Sequence, residues 1–209
     1  ILKSVNQLIN DTDAETVKVM QGLMNHSRSV VRENVLNKLA VISPDWKSIF
    51  VRSLSDSSYD VVKTSMEKLV VNFQDKETVK TIVDATENIF GMNNIIQIKR
   101  NEIMILHGIG TRIQLLAQNR FASSTYEFRT RLNAFNSFKT MNILDEELAM
   151  NIFYAMLSYN GRLAGPATDL ANHFSIQFEY KKMLKNRFAN SNLDAKQKET
   201  ITNALPWIQ

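Results

Sequence analysis

Cysteine is absent from the 209 residues, which excludes disulfide bonds and thiol chemistry within this stretch. Only six glycines and three prolines occur, well below ordinary usage, so long segments run without a breaker. That favours helices over many short strands joined by Gly-rich turns. No window approaches eighteen consecutive apolar residues, and no membrane span is expected. No segment carries the period-two alternation of a half-buried strand. The charge balance is mild, with 25 Lys and Arg against 21 Asp and Glu for a net +4. Such a balance belongs to a solvated surface, and a nucleic-acid partner is not expected from it. Cysteine-free domains occur in reducing and oxidising compartments alike, so localisation stays open.

What is present is an internal echo. Residues 27–41 and 57–71 share one plan at an offset of thirty. Val31 aligns with Val61, Leu36 with Met66, Leu39 with Leu69 and Val41 with Val71. A helical piece over 44–54 lies between the copies, with Ser43 as N-cap and Pro44 at the first helical position. Recurring helix–turn–helix units bury their apolar faces by stacking on one another. The spacing therefore predicts an all-α fold, a HEAT/armadillo-like α-solenoid (α-α superhelix) of about ten helices in antiparallel pairs. It is read as a single helical-repeat domain over 1–209.

Periodicity places further helices over 14–24, 28–42, 58–73 and 78–90, the last stopping at Gly91. A long segment over 95–116 is expected to break or bend at His107-Gly-Ile-Gly110. Another helix begins near Tyr126, with Phe128, Leu132, Phe135 and Phe138 on one stripe. Asp145 caps a helix containing Leu148, Ile152, Phe153, Met156 and Leu157, and Asn160-Gly161 breaks it. Residues 162–184 form one or two helices around Pro166, and 194–205 the last. Trp207 and Ile208 then anchor the terminus. Met20, Met24, Met66, Met104, Met150, Met156 and Met183 fall on apolar stripes and read as core.

Catalytic patterns are missing. The three histidines His26, His107 and His173 stand apart, and none belongs to a His-Glu-x-x-His zinc helix. Gly108-Ile-Gly110 follows helical periodicity and lacks the strand and third Gly of a dinucleotide loop. Glu146 and Glu147 occupy a helix first turn, where negative charge is favoured. Neighbouring residues on a helix point about 100° apart, which ill suits a paired acid and base. Lys181, Lys182, Lys185 and Arg187 form a basic cluster, read as a solvated helix face. No metal ligands, catalytic residues or cofactors are assigned to this segment.

The stretch Leu54-Ser-Asp-Ser-Ser-Tyr-Asp-Val-Val-Lys-Thr-Ser-Met-Glu-Lys-Leu69 resembles a repeat in the C-terminal helical domain of aminopeptidase N-type zinc metallopeptidases. Tyr126-Glu-Phe-Arg129 and Asn160-Gly-Arg-Leu-Ala-Gly-Pro166 are similar in style. The resemblance implies a domain without catalytic residues of its own, covering an upstream catalytic domain and shaping or gating the peptide cavity. Zinc and the family's Gly-x-Met-Glu-Asn loop would then lie upstream; Gly91-Met-Asn-Asn94 is not that loop. The absence of a starting Met agrees with an excised piece of a longer chain. The partners implied are the upstream domain and a peptide substrate. Arg129, Arg131 and Arg162, near turns, are the candidate contacts for a peptide carboxylate, because guanidinium binds carboxylate in a bidentate fork. The alternative is a free-standing HEAT-like scaffold that binds a protein partner or a nucleic-acid backbone.

Overall fold

The computed structural model describes residues 14–42 and 46–209. It is all-helical, with twelve α-helices and no strand among the described residues. The Ser43-Pro44 helix start expected from the sequence lies outside the described residues. No helix among the described residues is long and apolar enough to cross a membrane. The chain divides into two compact units, Ile1–Ile103 and Met104–Gln209.

The first unit contains α1 (Ala14–Leu23), α2 (Ser29–Ile42), α3 (Lys47–Ser53), α4 (Tyr59–Asn72), α5 (Lys76–Ala85) and α6 (Ile95–Leu106), at whose end the second unit begins. The echo seen in the sequence is a structural repeat. Helices α2 and α4 are both fourteen residues long and start thirty residues apart. Helices α1 and α3 end at Leu23 and Ser53, again thirty apart. Equivalent positions are buried in both copies: Met20 and Phe50, Met24 and Leu54, Val31 and Val61, Leu36 and Met66, Leu39 and Leu69. Each such side chain removed from water contributes roughly 1.5–3 kcal/mol, and most of these residues join one core cluster with Val79, Ile82 and Ile96.

The turns repeat as well. His26 Nδ1 accepts from the N–H of Arg28 at 3.1 Å, and Asp56 Oδ1 accepts from the N–H of Ser58 at 2.8 Å. In both copies a side chain bonds the backbone two residues on, which is how such turns commit the chain to the next helix. Arg32 ties the two turns together. Its Nε and Nη2 donate to Asp56 at 2.8 and 2.6 Å, while Nη1 donates to the carbonyls of His26 and Ser27.

One repeat position differs in chemistry. Val35 is matched by Ser65, which is fully buried, and the Ser65 hydroxyl has no hydrogen-bond partner. A buried hydroxyl without a partner loses its hydration for nothing. Ser65→Ala is therefore expected to stabilise the first unit by about 1 kcal/mol, measured as a raised urea midpoint with unchanged slope. A lowered midpoint would show that the hydroxyl is bonded.

Two predicted boundaries shift for local reasons. Helix α5 starts at Lys76, not near 78, because the Asp75 carboxylate accepts from both the N–H and the hydroxyl of Thr78. It ends at Ala85, short of Gly91, where the Gln97 amide instead collects the carbonyls of Thr86, Glu87 and Ile89. Gly91, at φ 74°, leads into a short 3-10 turn over Met92–Asn94.

The second unit contains α7 (Thr111–Ala122), α8 (Phe128–Met141), α9 (Glu146–Met156), α10 (Gly161–Ser175), α11 (Phe178–Ala189), α12 (Ala195–Ala204) and a closing 3-10 turn, Pro206–Ile208. The expected break before α7 is present. Gly108 N–H donates to Ile105 O and Ile109 N–H to Met104 O, a paired closure that needs a left-handed residue, supplied by Gly108 at φ 71°. Pro166 is tolerated inside α10, and the next break comes at Ile176-Gln177. Four of the six α-helix starts in this unit are capped by side chains, those of Glu127, Asp145, Asn160 and Asp194. Phe138, Phe153, Phe174, Leu184 and Ile201 are buried. Ile208 is buried beneath the terminus, and Trp207 Nε1 donates to Asn172 Oδ1 at 2.8 Å.

Candidate functional site

The second unit carries a polar cleft where α9 faces α11. It comprises two hollows of about 390 and 470 Å³ that share Glu146, Arg187 and Asn190, within the size range of small-ligand sites. One wall is a face of α9: Glu146, Glu147, Met150, Asn151 and Tyr154, at the spacing that puts side chains on one side of a helix. The other is the matching face of α11, including Glu179, Met183, Asn186 and Arg187, with Lys182 beside them.

The walls are fixed from below and from one end. Phe153 of α9 and Phe188 of α11 meet edge to face, ring centres 5.8 Å apart, a geometry that the ring quadrupoles favour. The start of α9 is set by Asp145, which accepts from Leu148 N–H and from Asn119 Nδ2. Asn151 donates in turn to the carbonyl of Asn119. These bonds tie α7 to α9.

Arg131 completes that framework and is not an exposed contact. Only 7% of the residue is accessible. Its Nε donates to Ala122 O at 3.0 Å and Nη2 to Asn151 O at 3.4 Å. Burial lowers its pKa from the ordinary guanidinium value. Of the three candidate arginines, Arg131 is thus a strut joining the end of α7 to α9. Arg129 is exposed, with its guanidinium 5.1 Å from the centre of the Phe128 ring. Arg162 is exposed in the first turn of α10, where its N–H donates to Asn160 Oδ1.

The basic cluster divides. Lys181 sits over the Trp207 ring and Lys185 donates to Gln209 O. Lys182 and Arg187 turn to the cleft. Arg187 Nε is buried with no hydrogen-bond partner. Unlike the arginines near the helix starts, Arg187 was visible in the sequence only as one cation of a solvated face. The two acidic residues that begin α9 gave no sign of lining a hollow.

Among the described residues no three His, Cys, Asp or Glu side chains gather as a metal ion requires. Compared with protein-family models and with curated proteins, the chain matches none.

Proposed function

We propose that this chain is the non-catalytic C-terminal helical domain of an aminopeptidase N-type zinc metallopeptidase, covering the catalytic domain and shaping or gating its peptide cavity. The observation that carries this reading is the thirty-residue recurrence of a short helix, a side-chain-bonded turn and a fourteen-residue helix. Its second copy contains the stretch from Leu54 to Leu69 on which the family resemblance rests. Packed helix pairs suit a HEAT-like array that braces a neighbouring domain.

In this reading zinc and the reacting groups belong to the upstream domain, and the helical chain contributes surface. Arg129 and Arg162 remain candidates for peptide contact, since both are exposed near helix starts. Arg129→Glu or Arg162→Glu in the full polypeptide is expected to raise KM for an acidic peptide about two- to fivefold, as for a surface ion pair, with kcat unchanged. Identical KM in both variants would remove these residues from the substrate path.

The proposal is tested by translating the reading frame upstream of the region encoding Ile1. A His-Glu-x-x-His motif within a few hundred residues is expected. A short parent chain without that motif would overturn the proposal and leave the free-standing scaffold.

A further inference from the structure

We propose that the α9–α11 cleft is a binding site for a small zwitterion, a molecule bearing one ammonium and one carboxylate group. The cleft lies wholly within the second unit and is independent of the peptidase reading.

Glu146 and Arg187 border both hollows of the cleft. Opposite charges that share a cleft normally meet. Here neither Glu146 nor Arg187 has an ion-pair partner among the described residues, and the buried Arg187 Nε lacks even a neutral acceptor. A guanidinium nitrogen withdrawn from water and left without an acceptor is costly. The Arg187 guanidinium borders both hollows, and a ligand carboxylate in the cleft gives it the charge-assisted acceptor that the protein does not supply. Lys182 adds a second cation to the same hollow.

The remaining charges decide what accompanies the carboxylate. Glu146 and Glu179 line one hollow, and Glu146 and Glu147 the other. A multiply charged anion such as phosphate meets carboxylates in either hollow and is disfavoured. A simple cation meets Arg187 in both. A ligand carrying both charges satisfies both sets, its ammonium toward the glutamates and its carboxylate at Arg187. The amides of Asn186 and Asn190 can bond a neutral polar linker between the two ends, while Met183, Met150 and Tyr154 offer apolar surface for a side chain. Free amino acids and dipeptides share this chemistry.

Isothermal titration calorimetry of the full 209-residue chain tests the assignment, with leucine, leucyl-leucine, N-acetyl-leucyl-leucine, leucyl-leucinamide and inorganic phosphate as probes. Saturable one-site binding of leucine or leucyl-leucine is expected, and the tighter of the two identifies the source. Blocking either end of the dipeptide is expected to weaken binding at least roughly tenfold, as is Arg187→Gln or Glu146→Gln, the scale of one lost charge-assisted bond. Equal affinity for the blocked dipeptides, binding of phosphate alone, or no heat at millimolar leucyl-leucine would overturn the proposal. Glu146 is exposed in a first turn, so Glu146→Gln keeps the test decisive if Arg187→Gln fails to fold. Unchanged affinity in a folded Glu146→Gln variant would also overturn it.

Discussion

Arg32→Ala is expected to cost the first unit about 3 kcal/mol, among the largest losses available from a single polar side chain. Arg32 donates four hydrogen bonds, two to Asp56 and two to the carbonyls of His26 and Ser27. Removing it leaves the Asp56 carboxylate, 13% exposed, without its cation. Breaking a buried pair from one side costs about 3–5 kcal/mol. The residual exposure places this one at the low end. The repeat adds a consequence, because Arg32 joins the turns that begin both long helices, so α2 and α4 should loosen together. Urea unfolding followed by far-UV circular dichroism checks the magnitude. A change under about 0.5 kcal/mol, the scale of an ordinary surface substitution, would show that the fork carries no weight.

The same pair sets a pH dependence. Burial pushes the Asp56 carboxyl up, but the Arg32 fork and the Ser58 N–H outweigh it and hold the pKa below the usual range. Burial likewise raises Glu67, and the Lys99 and Lys63 ammoniums more than compensate. The hydroxyl and N–H of Thr78, helped by Lys47, hold Asp75 at about 2. A carboxylate with a depressed folded pKa stabilises fully above its unfolded value and loses that contribution as pH falls through the folded one. The wild-type chain should therefore weaken from about pH 4 downward. Arg32→Ala should show a shallower decline, since Asp56 then keeps only the Ser58 N–H bond to lose.

Arg131→Ala is the second large effect, expected at about 2–3 kcal/mol in the second unit. Truncation strands the Ala122 carbonyl at the end of α7 and removes a second donor from Asn151 O, inside α9. It also opens a void between the end of α7 and α9. Arg131→Met should cost less. It fills much of the volume and removes a buried cation for which burial alone moves the pKa. Arg129→Ala, on the exposed side of the same helix, should fall within about 0.5 kcal/mol of wild type. Comparable losses for Arg129→Ala and Arg131→Ala would contradict the assignment of Arg131 as a strut.

That contrast shows where sequence reading reaches and where it stops. The repeat was readable because burial imposes most of it directly: Val31 and Val61, Leu36 and Met66, and Leu39 and Leu69 are withdrawn from water, although the aligned Val71 is exposed. Asp145 was readable as a helix start because a cap needs only a side chain and an N–H three residues on, whereas Asn160, read as a helix stop, also caps the helix that follows. The division between α10 and α11 was not. Pro166 marked the segment but sits inside a helix, and Ile176-Gln177 carries no Gly or Pro. Gln177 instead reaches Asn142 Oδ1, thirty-five residues away. Arg131 misled for a related reason. A basic residue near a helix start normally faces solvent, and only the packing of α7 and α9 around it makes it a buried donor. The cleft was beyond reach altogether. Glu146 and Arg187 lie on different helices, and the hollow that unites them exists only once Phe153 packs on Phe188.

The central proposal, a helical chain that supports a zinc aminopeptidase without reacting itself, is tested most directly by aminoacyl-anilide hydrolysis. The full polypeptide encoded by the parent reading frame and the isolated 209-residue chain are assayed side by side, with and without added zinc. Turnover that requires zinc in the full polypeptide, together with none from the isolated chain, is the expected result. Turnover by the isolated chain, or a full polypeptide inert with zinc present, would contradict it.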